Sequence, residues 1–151
     1  MPEKWIFPVK LSALFLIFFF QPFHLRHVKW ASRIPHFKRL NFHDQKILIK
    51  AAFTELLILN YAFHPKASET EEQKLILSRY LTSDVVDKIQ EIQLDETERG
   101  SLKAIILLNP DSRGLHYPET VLQIREKLYA SLEAYCKVRI LLQRLFITGW
   151  L

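Results

Sequence analysis

The sequence predicts an all-α fold, and two observations carry that prediction: the composition, and apolar residues that recur at helical spacing. The chain has 151 residues, of which 49% are hydrophobic and 13% aromatic, with three glycines and seven prolines. So few glycines disfavour a turn-rich β-sandwich, and the apolar fraction is enough for one core but not for two. We therefore expect a single helical domain.

Helix-breaking residues and apolar periodicity place the first elements. Residues 23–34 are predicted to form a helix that ends before Pro35, because proline has no amide donor and restricts the residue before it. Residues 44–63 are apolar around almost the whole helix, which predicts a central, buried helix. Its exception is a polar strip formed by Lys46, Lys50 and Thr54. Residues 64–73 are polar and predict a loop.

The second half of the chain predicts three further helices. One amphipathic helix follows the loop, with apolar residues at helical spacing: Leu77, Leu81, Val85, Ile89 and Ile92. Another begins at Asp95, where Asp95 and Glu98 have the spacing of a capping box, and ends at Asn109-Pro110. After a turn at residues 111–114, the last helix begins near Pro118, since proline is favoured at the first helical position.

Charge and cysteine content exclude some functions. The net charge is +5, but lysines and arginines alternate with acidic residues, which indicates a solvated surface more than a nucleic-acid-binding stripe. Cys136 is the only cysteine, so the chain has no internal disulfide and no zinc module built from several cysteines. We therefore expect no direct DNA binding by this chain.

The N-terminal segment allows two interpretations. Residues 11–20 are almost all apolar and follow Lys4 and Lys10, as in a secretory signal. No small-x-small cleavage site follows them, however, and the run is too short to span a bilayer. Alternatively, Phe18-Phe19-Phe20-Gln21 is what a pyrimidine tract ending in CAG would encode, as at the end of an intron. Residues 137–139 are likewise what a splice-donor-like string would encode.

Two blocks of sequence carry a family resemblance. The first combines apolar anchors with fixed polar residues: Trp30-Ala31-Ser32-Arg33-Ile34-Pro35-His36-Phe37, Leu40, Asp44-Gln45, Leu48 and Phe53-Thr54-Glu55-Leu56-Leu57. It resembles the signature of nuclear-receptor ligand-binding domains, and residues 33–37 are most similar to the retinoid X receptor group. The second block, residues 102–111 and 125–137, is similar to the eighth and ninth helices of a retinoid X receptor.

The resemblance implies a partial nuclear-receptor ligand-binding domain, an antiparallel helical sandwich lacking its first and last helices. We expect this domain at residues 22–137, between a non-family apolar segment at 1–21 and a non-family tail at 138–151. The main dimer helix and the activation helix would then be missing. The implied role is in ligand-regulated transcription in the nucleus. The competing interpretation is a small secreted or membrane-associated helical protein directed by its apolar N-terminus.

For a small lipophilic ligand, the resemblance implies a pocket wall of Phe53, Leu57 and Tyr61. From the residues alone, ordinary core positions are the favoured interpretation of these three. His64 matches the arginine that grips a carboxylate in retinoid-binding members. A histidine cannot form that two-pronged contact, so an acidic retinoid is not favoured. The loop at 64–73 is also too short for the family's β-hairpin, so one pocket wall is expected to be absent or rebuilt.

A groove for a coactivator or corepressor helix is the second implied site. The positions assigned to it are Val28, Ser32, Arg33, Phe42, Gln45, Lys46, Ile49 and Lys50. Ser32 replaces the lysine that caps the peptide helix in the family, and Arg33 or Lys50 is expected to substitute for it. A solvated face remains the alternative interpretation of Lys46 and Lys50.

The remaining candidates are few. Arg125 and Glu126 match positions that contribute to dimerisation with another nuclear receptor. His24 and His27, with His36 or His43, could be proposed as metal ligands, but surface histidines are the favoured interpretation, so no metal site or cofactor is expected. Cys136 lacks the activating neighbours of a nucleophile, and we expect a half-buried helix residue there and no enzyme activity.

Overall fold

A computed structural model describes residues 21–34, 36–64, 71–79 and 83–149 of the chain. Within these ranges the chain is helical and contains no β-strand, so the predicted all-α class is confirmed. The α-helices in chain order are α1 (Gln21–Ala31), α2 (Phe42–Phe63), α3 (Glu71–Ser78), α4 (Ser83–Glu91), α5 (Glu96–Leu107) and α6 (Pro118–Ile147). A short 3-10 helix, Phe37–Arg39, separates α1 from α2.

Side-chain caps define the starts of two helices. The Asn41 side chain accepts a hydrogen bond of 2.7 Å from the Asp44 amide, so α2 begins at Phe42, two residues before its predicted start. At α5 the predicted capping box is confirmed. Asp95 accepts from the Glu98 amide at 2.8 Å, and the Glu98 carboxylate accepts from the Asp95 amide at 2.9 Å.

The region between α2 and α5 differs from its prediction. The sequence predicts one amphipathic helix through residues 77–92, but the structure has two helices, α3 and α4. Ser83 and Asp84 begin α4, and both residue types favour helix starts over helix interiors. The loop predicted through residue 73 also ends sooner, because α3 begins at Glu71. The periodic apolar residues continue across both helices, which is why their spacing does not reveal the break.

The main core lies where α1, α2, α5 and α6 meet. Its buried members are Ala31, Phe37, Leu40, Leu48, Ala52, Leu56, Leu107, Leu108, Val121 and Ile124. Helix α2 contacts α1, α4 and α5, and α6 packs on α5. The prediction that α2 is central and buried is therefore confirmed.

The two halves of α6 have different environments. Val121 and Ile124 in its first turns are buried in the core. The helix continues without a break past residue 137, and its second half exposes a set of large apolar side chains: Val138, Ile140, Leu141, Leu142, Leu145, Phe146 and Ile147. Within this half, Arg139 still reaches α5, where it forms an ion pair with Glu98.

The lengths and the polarity of the helices bear on membrane insertion. Among the helices of the described residues, none is both long enough and apolar enough to cross a bilayer. The signal-like run at residues 11–20 lies outside the described residues.

Candidate functional site

The eight residues predicted to form a groove lie on two contacting elements. Val28 is on α1, Ser32 and Arg33 directly follow α1, and the others are on the first half of α2: Phe42, Gln45, Lys46, Ile49 and Lys50. Val28, Gln45 and Ile49 are half-buried, whereas the other five are exposed. Since α1 contacts α2, the structure places the predicted set on two neighbouring elements.

The floor and the edges of this region are held by specific contacts. Ile49 packs against the main core, as do Trp30 and Ile34. The Gln45 side-chain amide donates to the Leu40 carbonyl at 2.7 Å, and the Ser32 hydroxyl donates to the Lys29 carbonyl at 2.7 Å. Ser32 is thus turned to its own backbone, and it offers no positive charge at the end of α1.

An exposed aromatic ring and a lysine stand together at the start of α2. Phe42 is 70% exposed, and the Lys46 ammonium lies 4.4 Å from the centre of its ring. This distance is typical of a cation–π contact, which holds the long lysine side chain over the ring. The surface therefore combines an apolar element with basic charge, as a groove for an amphipathic helix requires.

The four predicted ligand residues do not share one environment. Phe53 and Leu57 on α2 are buried, and Tyr61 is half-buried. His64 is exposed at the C-cap of α2, where its backbone amide donates to the Asn60 carbonyl. Phe53 and Leu57 are buried but do not belong to the main core cluster.

An open depression lies on the second half of α6. It has a volume of about 630 Å³, and its described lining residues are Leu142, Gln143, Phe146 and Ile147. None of the four predicted ligand residues is among these lining residues, so this depression gives no support to the predicted pocket.

The predicted dimerisation residues are on the first half of α6. Glu126 is exposed, and Arg125 is half-buried. The Arg125 guanidinium donates to the Tyr129 hydroxyl at 3.3 Å, one helical turn later. The contact orders the arginine along the helix surface.

Asp44 is a buried anchor between α2 and the segment before α6. Its carboxylate accepts hydrogen bonds from the His116 amide at 2.8 Å, the Tyr117 amide at 3.1 Å and the Asn41 side-chain amide at 3.1 Å. Burial raises the pKa of Asp44, but these donors outweigh burial and leave the pKa below its ordinary value. The buried carboxylate therefore stays ionised at neutral pH.

Two exposed histidines stand beside this anchor. The ring of His43 stacks on the ring of His116, with centroids 4.0 Å apart and planes inclined by 10°. Nε2 of His43 lies 3.1 Å from the Gly114 carbonyl oxygen. Since a carbonyl oxygen only accepts, this hydrogen bond requires the proton on Nε2. One ring nitrogen of each histidine and one oxygen of Asp44 lie within 4.8 Å of one another.

The sequence does not predict this cluster. It suggests His43 only as a possible third metal ligand, in place of His36, beside His24 and His27, and favours surface histidines over that site. The expectation that His27 is a surface residue is wrong, because His27 is only 6% exposed. His116 follows Asp44 by 72 residues, and no local spacing could show that they meet. The adjacent pair His43-Asp44 is the signal that the sequence does contain.

A second buried carboxylate, Glu98, ties α6 to the start of α5. The Arg139 guanidinium donates to Glu98 and lies 3.6 Å from the Asp95 carboxylate. The Tyr135 hydroxyl donates to Asp95 at 2.7 Å. Burial raises the pKa of Glu98, but the bonds from Arg139 and from the Asp95 amide outweigh it and lower that pKa overall. The sequence predicts the cap made by Glu98 but not its ion pair.

Cys136 is half-buried on α6, as expected. Its thiol lies 3.5 Å from the Glu98 carboxylate, to which it donates. Burial, and then the neighbouring Glu98 charge, raise the pKa of this thiol. Because the thiolate is the nucleophilic form, the arrangement disfavours nucleophilic chemistry at Cys136.

Comparison with known protein families gives one match. The family model described as the ligand-binding domain of nuclear hormone receptor matches residues 5–65 and 60–144 of the chain. The two matched ranges meet at the end of α2 and together cover most of the sequence. They also extend into residues 1–21 and 138–151, so the division of the chain at residues 21 and 137 stays a prediction.

Proposed function

Because this chain belongs to the family of nuclear hormone receptor ligand-binding domains, we propose that it acts in the nucleus as a protein-interaction module in ligand-regulated transcription. Within the family, we propose that it is similar to the retinoid X receptor group. The support for this subgroup is the sequence of residues 33–37 and the second block at residues 102–111 and 125–137. The family is generally non-enzymatic, and we propose no catalytic role.

The observation that carries the proposal is the surface formed by α1 and the first half of α2. Half-buried Val28 and Ile49 offer an apolar floor, and exposed Phe42 extends it. Exposed Lys46 and Lys50 add positive charge along α2, and Arg33 adds more after α1. An amphipathic partner helix would place its apolar face on the floor. The basic residues would attract the carboxyl end of that helix, where the helix dipole is negative.

Peptide binding tests this proposal. A labelled helical peptide containing Leu-x-x-Leu-Leu is titrated with the full chain, and binding is followed by fluorescence anisotropy. Lys46→Glu combined with Lys50→Glu is expected to weaken binding by about tenfold, or about 1.4 kcal/mol. The matched control is Lys88→Glu combined with Lys127→Glu, two exposed lysines on α4 and α6.

The control separates a local surface from a general effect of charge. Unchanged binding by the Lys88 and Lys127 variant, with weaker binding by the Lys46 and Lys50 variant, supports the groove. Equal weakening by both variants would assign the effect to net charge and overturn the proposal. Failure of the unaltered chain to bind the peptide would overturn it as well.

We also propose that Phe53, Leu57 and Tyr61 contact a small lipophilic ligand that carries no carboxylate. The identity of His64 supports the second half of this proposal, because an imidazole cannot form the two-pronged contact that a guanidinium makes with a carboxylate. Thermal unfolding with retinol is expected to show a larger rise in Tm than unfolding with retinoic acid. Leu57→Phe, which enlarges a side chain proposed to contact the ligand, is expected to abolish that rise, whereas Leu128→Phe on α6 leaves it. A larger rise with retinoic acid would contradict the proposal.

For dimerisation, we propose that Arg125 and Glu126 face another nuclear receptor. The exposure of Glu126 supports this assignment. Sedimentation of the full chain with a retinoid X receptor domain is expected to show a complex that Glu126→Arg weakens. The exposed Glu133→Arg is the control, and equal weakening by both variants contradicts the assignment.

The alternative role in the secretory pathway has a direct test. A fluorescent tag at the C-terminus of the full chain is expected to give nuclear or diffuse staining. Entry of the tagged chain into the secretory pathway would overturn the proposed localisation.

A further inference from the structure

We propose that His43, Asp44 and His116 bind one divalent transition-metal ion of the zinc type. This site would join the first turn of α2 to the segment that precedes α6. It is independent of the proposed interaction surface, since neither His116 nor Asp44 belongs to that surface.

The geometry is the first support. One ring nitrogen from each histidine and one carboxylate oxygen lie within 4.8 Å of one another. A zinc ion is held at about 2.0–2.2 Å by imidazole nitrogen and carboxylate oxygen, so two ligands of one ion are separated by roughly 3–4 Å. Small side-chain rotations therefore suffice to bring the three ligand atoms into one coordination sphere.

The two rings must rotate to bind one ion. They stack nearly in parallel, and lone pairs in parallel planes do not converge on one ion, so each ring must tilt from the stack. Both His43 and His116 are exposed, so core packing does not oppose this tilt. An ion and one or more waters would approach from the side of the exposed rings, because the Asp44 carboxylate is buried beneath them.

The charge of Asp44 is the second support. This carboxylate is fully buried, and each of its three donors is a neutral N–H group. Its charge is thus stabilised by hydrogen bonds, without a paired side-chain cation among these contacts. Oδ1 accepts one of the three hydrogen bonds, from the His116 amide, so it retains a second lone pair for a metal.

The hydrogen bond of His43 is the third support. Its Nε2 proton is donated to the Gly114 carbonyl, so Nδ1 is the ring nitrogen that a metal would use. Metal-binding histidines characteristically donate the second ring nitrogen to a backbone carbonyl or a carboxylate, because this bond fixes the tautomer and the ring orientation. His43 already has this outer contact.

The ligand set selects the class of ion. Two imidazoles and one carboxylate suit zinc, copper, nickel and cobalt, whereas magnesium and calcium prefer oxygen ligands throughout. Three protein ligands leave the fourth position of a tetrahedral zinc ion to water. By linking positions 72 residues apart in the chain, a bound ion would also stabilise the folded state.

The test uses tag-free, full-length protein and two probes. Isothermal titration with Zn²⁺ is expected to show one ion per chain. Titration with Co²⁺ is expected to give the visible absorption of a low-symmetry nitrogen- and oxygen-bound ion. His43→Asn and His116→Asn are each expected to weaken Zn²⁺ binding by at least about tenfold. His64→Asn, which removes an exposed histidine at the other end of α2, is the matched control and is expected to leave the affinity unchanged.

Each outcome decides the proposal. Loss of affinity in both the His43 and the His116 variants, with none in His64→Asn, supports the site. Equal loss in all three variants would assign binding to surface histidines in general and overturn it, as would the absence of binding to the unaltered chain. Asp44→Asn is a third variant, and circular dichroism reports whether it folds. If it does not fold, the two histidine variants decide alone.

Discussion

Two buried carboxylates connect distant parts of this chain, and they are stabilised in different ways. Asp44 accepts from two backbone amides and one side-chain amide, whereas Glu98 is paired with the Arg139 guanidinium. In both cases hydrogen bonds to the charged form outweigh burial, and the pKa lies below its ordinary value. Backbone donors thus keep Asp44 ionised, and an arginine side chain keeps Glu98 ionised. The two carboxylates should therefore respond differently to the loss of a partner.

The difference lies in what can replace a lost partner. The amides of His116 and Tyr117 are fixed parts of the backbone and donate to a carboxylate that is fully buried, so no other side chain can take the place of Asp44 without a change of the backbone. Arg139 is 32% exposed, and water can replace part of its interaction with Glu98. We call the contacts of Asp44 the Asp44 anchor and those of Glu98 the Glu98 anchor. The stability that the Asp44 anchor contributes should depend on its one carboxylate. The stability that the Glu98 anchor contributes should depend on pH and salt as well.

The largest expected effect comes from removing the Asp44 carboxylate. Asp44→Ala leaves three donors without an acceptor, which should lower the free energy of unfolding by about 3 kcal/mol. Urea unfolding followed by circular dichroism measures this loss. Asp84→Ala, at an exposed carboxylate in the first turn of α4, is the control. Similar losses for the two variants would mean that Asp44 is not an anchor.

A smaller loss is expected for Glu98→Ala. This change removes the charge paired with Arg139 and one half of the capping box at α5, and it should cost about 2 kcal/mol. Glu96→Ala removes an exposed acid from the same helical turn and should change stability much less. The same urea experiment would contradict the comparison if Glu98→Ala were more damaging than Asp44→Ala.

How much of these two anchors is predictable from sequence depends on the range of each interaction. The capping box of Asp95 and Glu98 spans three residues, so its spacing alone predicts it. The partners of the same Glu98 and of Asp44 lie 41 and 72 residues away, and spacing carries no information about such contacts. Tertiary packing decides them.

The helices show the same limit. The apolar residues around most of α2 correctly predict a buried central helix, because burial of most of a helix surface leaves that mark in the sequence. The break between α3 and α4 is not predicted, since the apolar spacing continues through it. The candidate groove follows from the resemblance, whereas the cluster of His43, Asp44 and His116 requires the fold.

The pH dependence of stability should reveal the ion pair of Arg139 and Glu98 more clearly than a mutation measured only at neutral pH. In Arg139→Gln, burial would raise the Glu98 pKa without the guanidinium to oppose it. The folded-state pKa of Glu98 is depressed in the unaltered chain. Its stabilising contribution is therefore complete above the ordinary glutamate pKa of about 4.3 and is lost as the pH falls through the lower folded value.

The prediction is a pH-dependent gap between the two proteins. Urea unfolding should find the unaltered chain more stable than Arg139→Gln at pH 7, by less than the loss in Glu98→Ala. That gap should shrink below about pH 4.3. Arg144→Gln, at an exposed position on the same helix, should show no such gap. A gap that stayed constant into acid would mean that Arg139 acts by packing and not by charge.

The smallest expected effect concerns the hydroxyl of Tyr135, at the edge of the Glu98 anchor. It donates to Asp95 at 2.7 Å, and this hydrogen bond is the main cause that raises the pKa of Tyr135. A raised folded pKa means that the contribution of this hydrogen bond to stability is complete below the unfolded tyrosine pKa of about 10 and is lost as the pH rises through the folded value.

Alkaline titration by tyrosinate absorbance should show a late-titrating group that Tyr135→Phe removes and the control Tyr129→Phe retains. Stability at pH 7 should change little in either variant, because both tyrosines are exposed. If Tyr129→Phe removed the late group instead, the hydroxyl of Tyr135 would not belong to the anchor, and Arg139 alone would join α6 to the cap of α5.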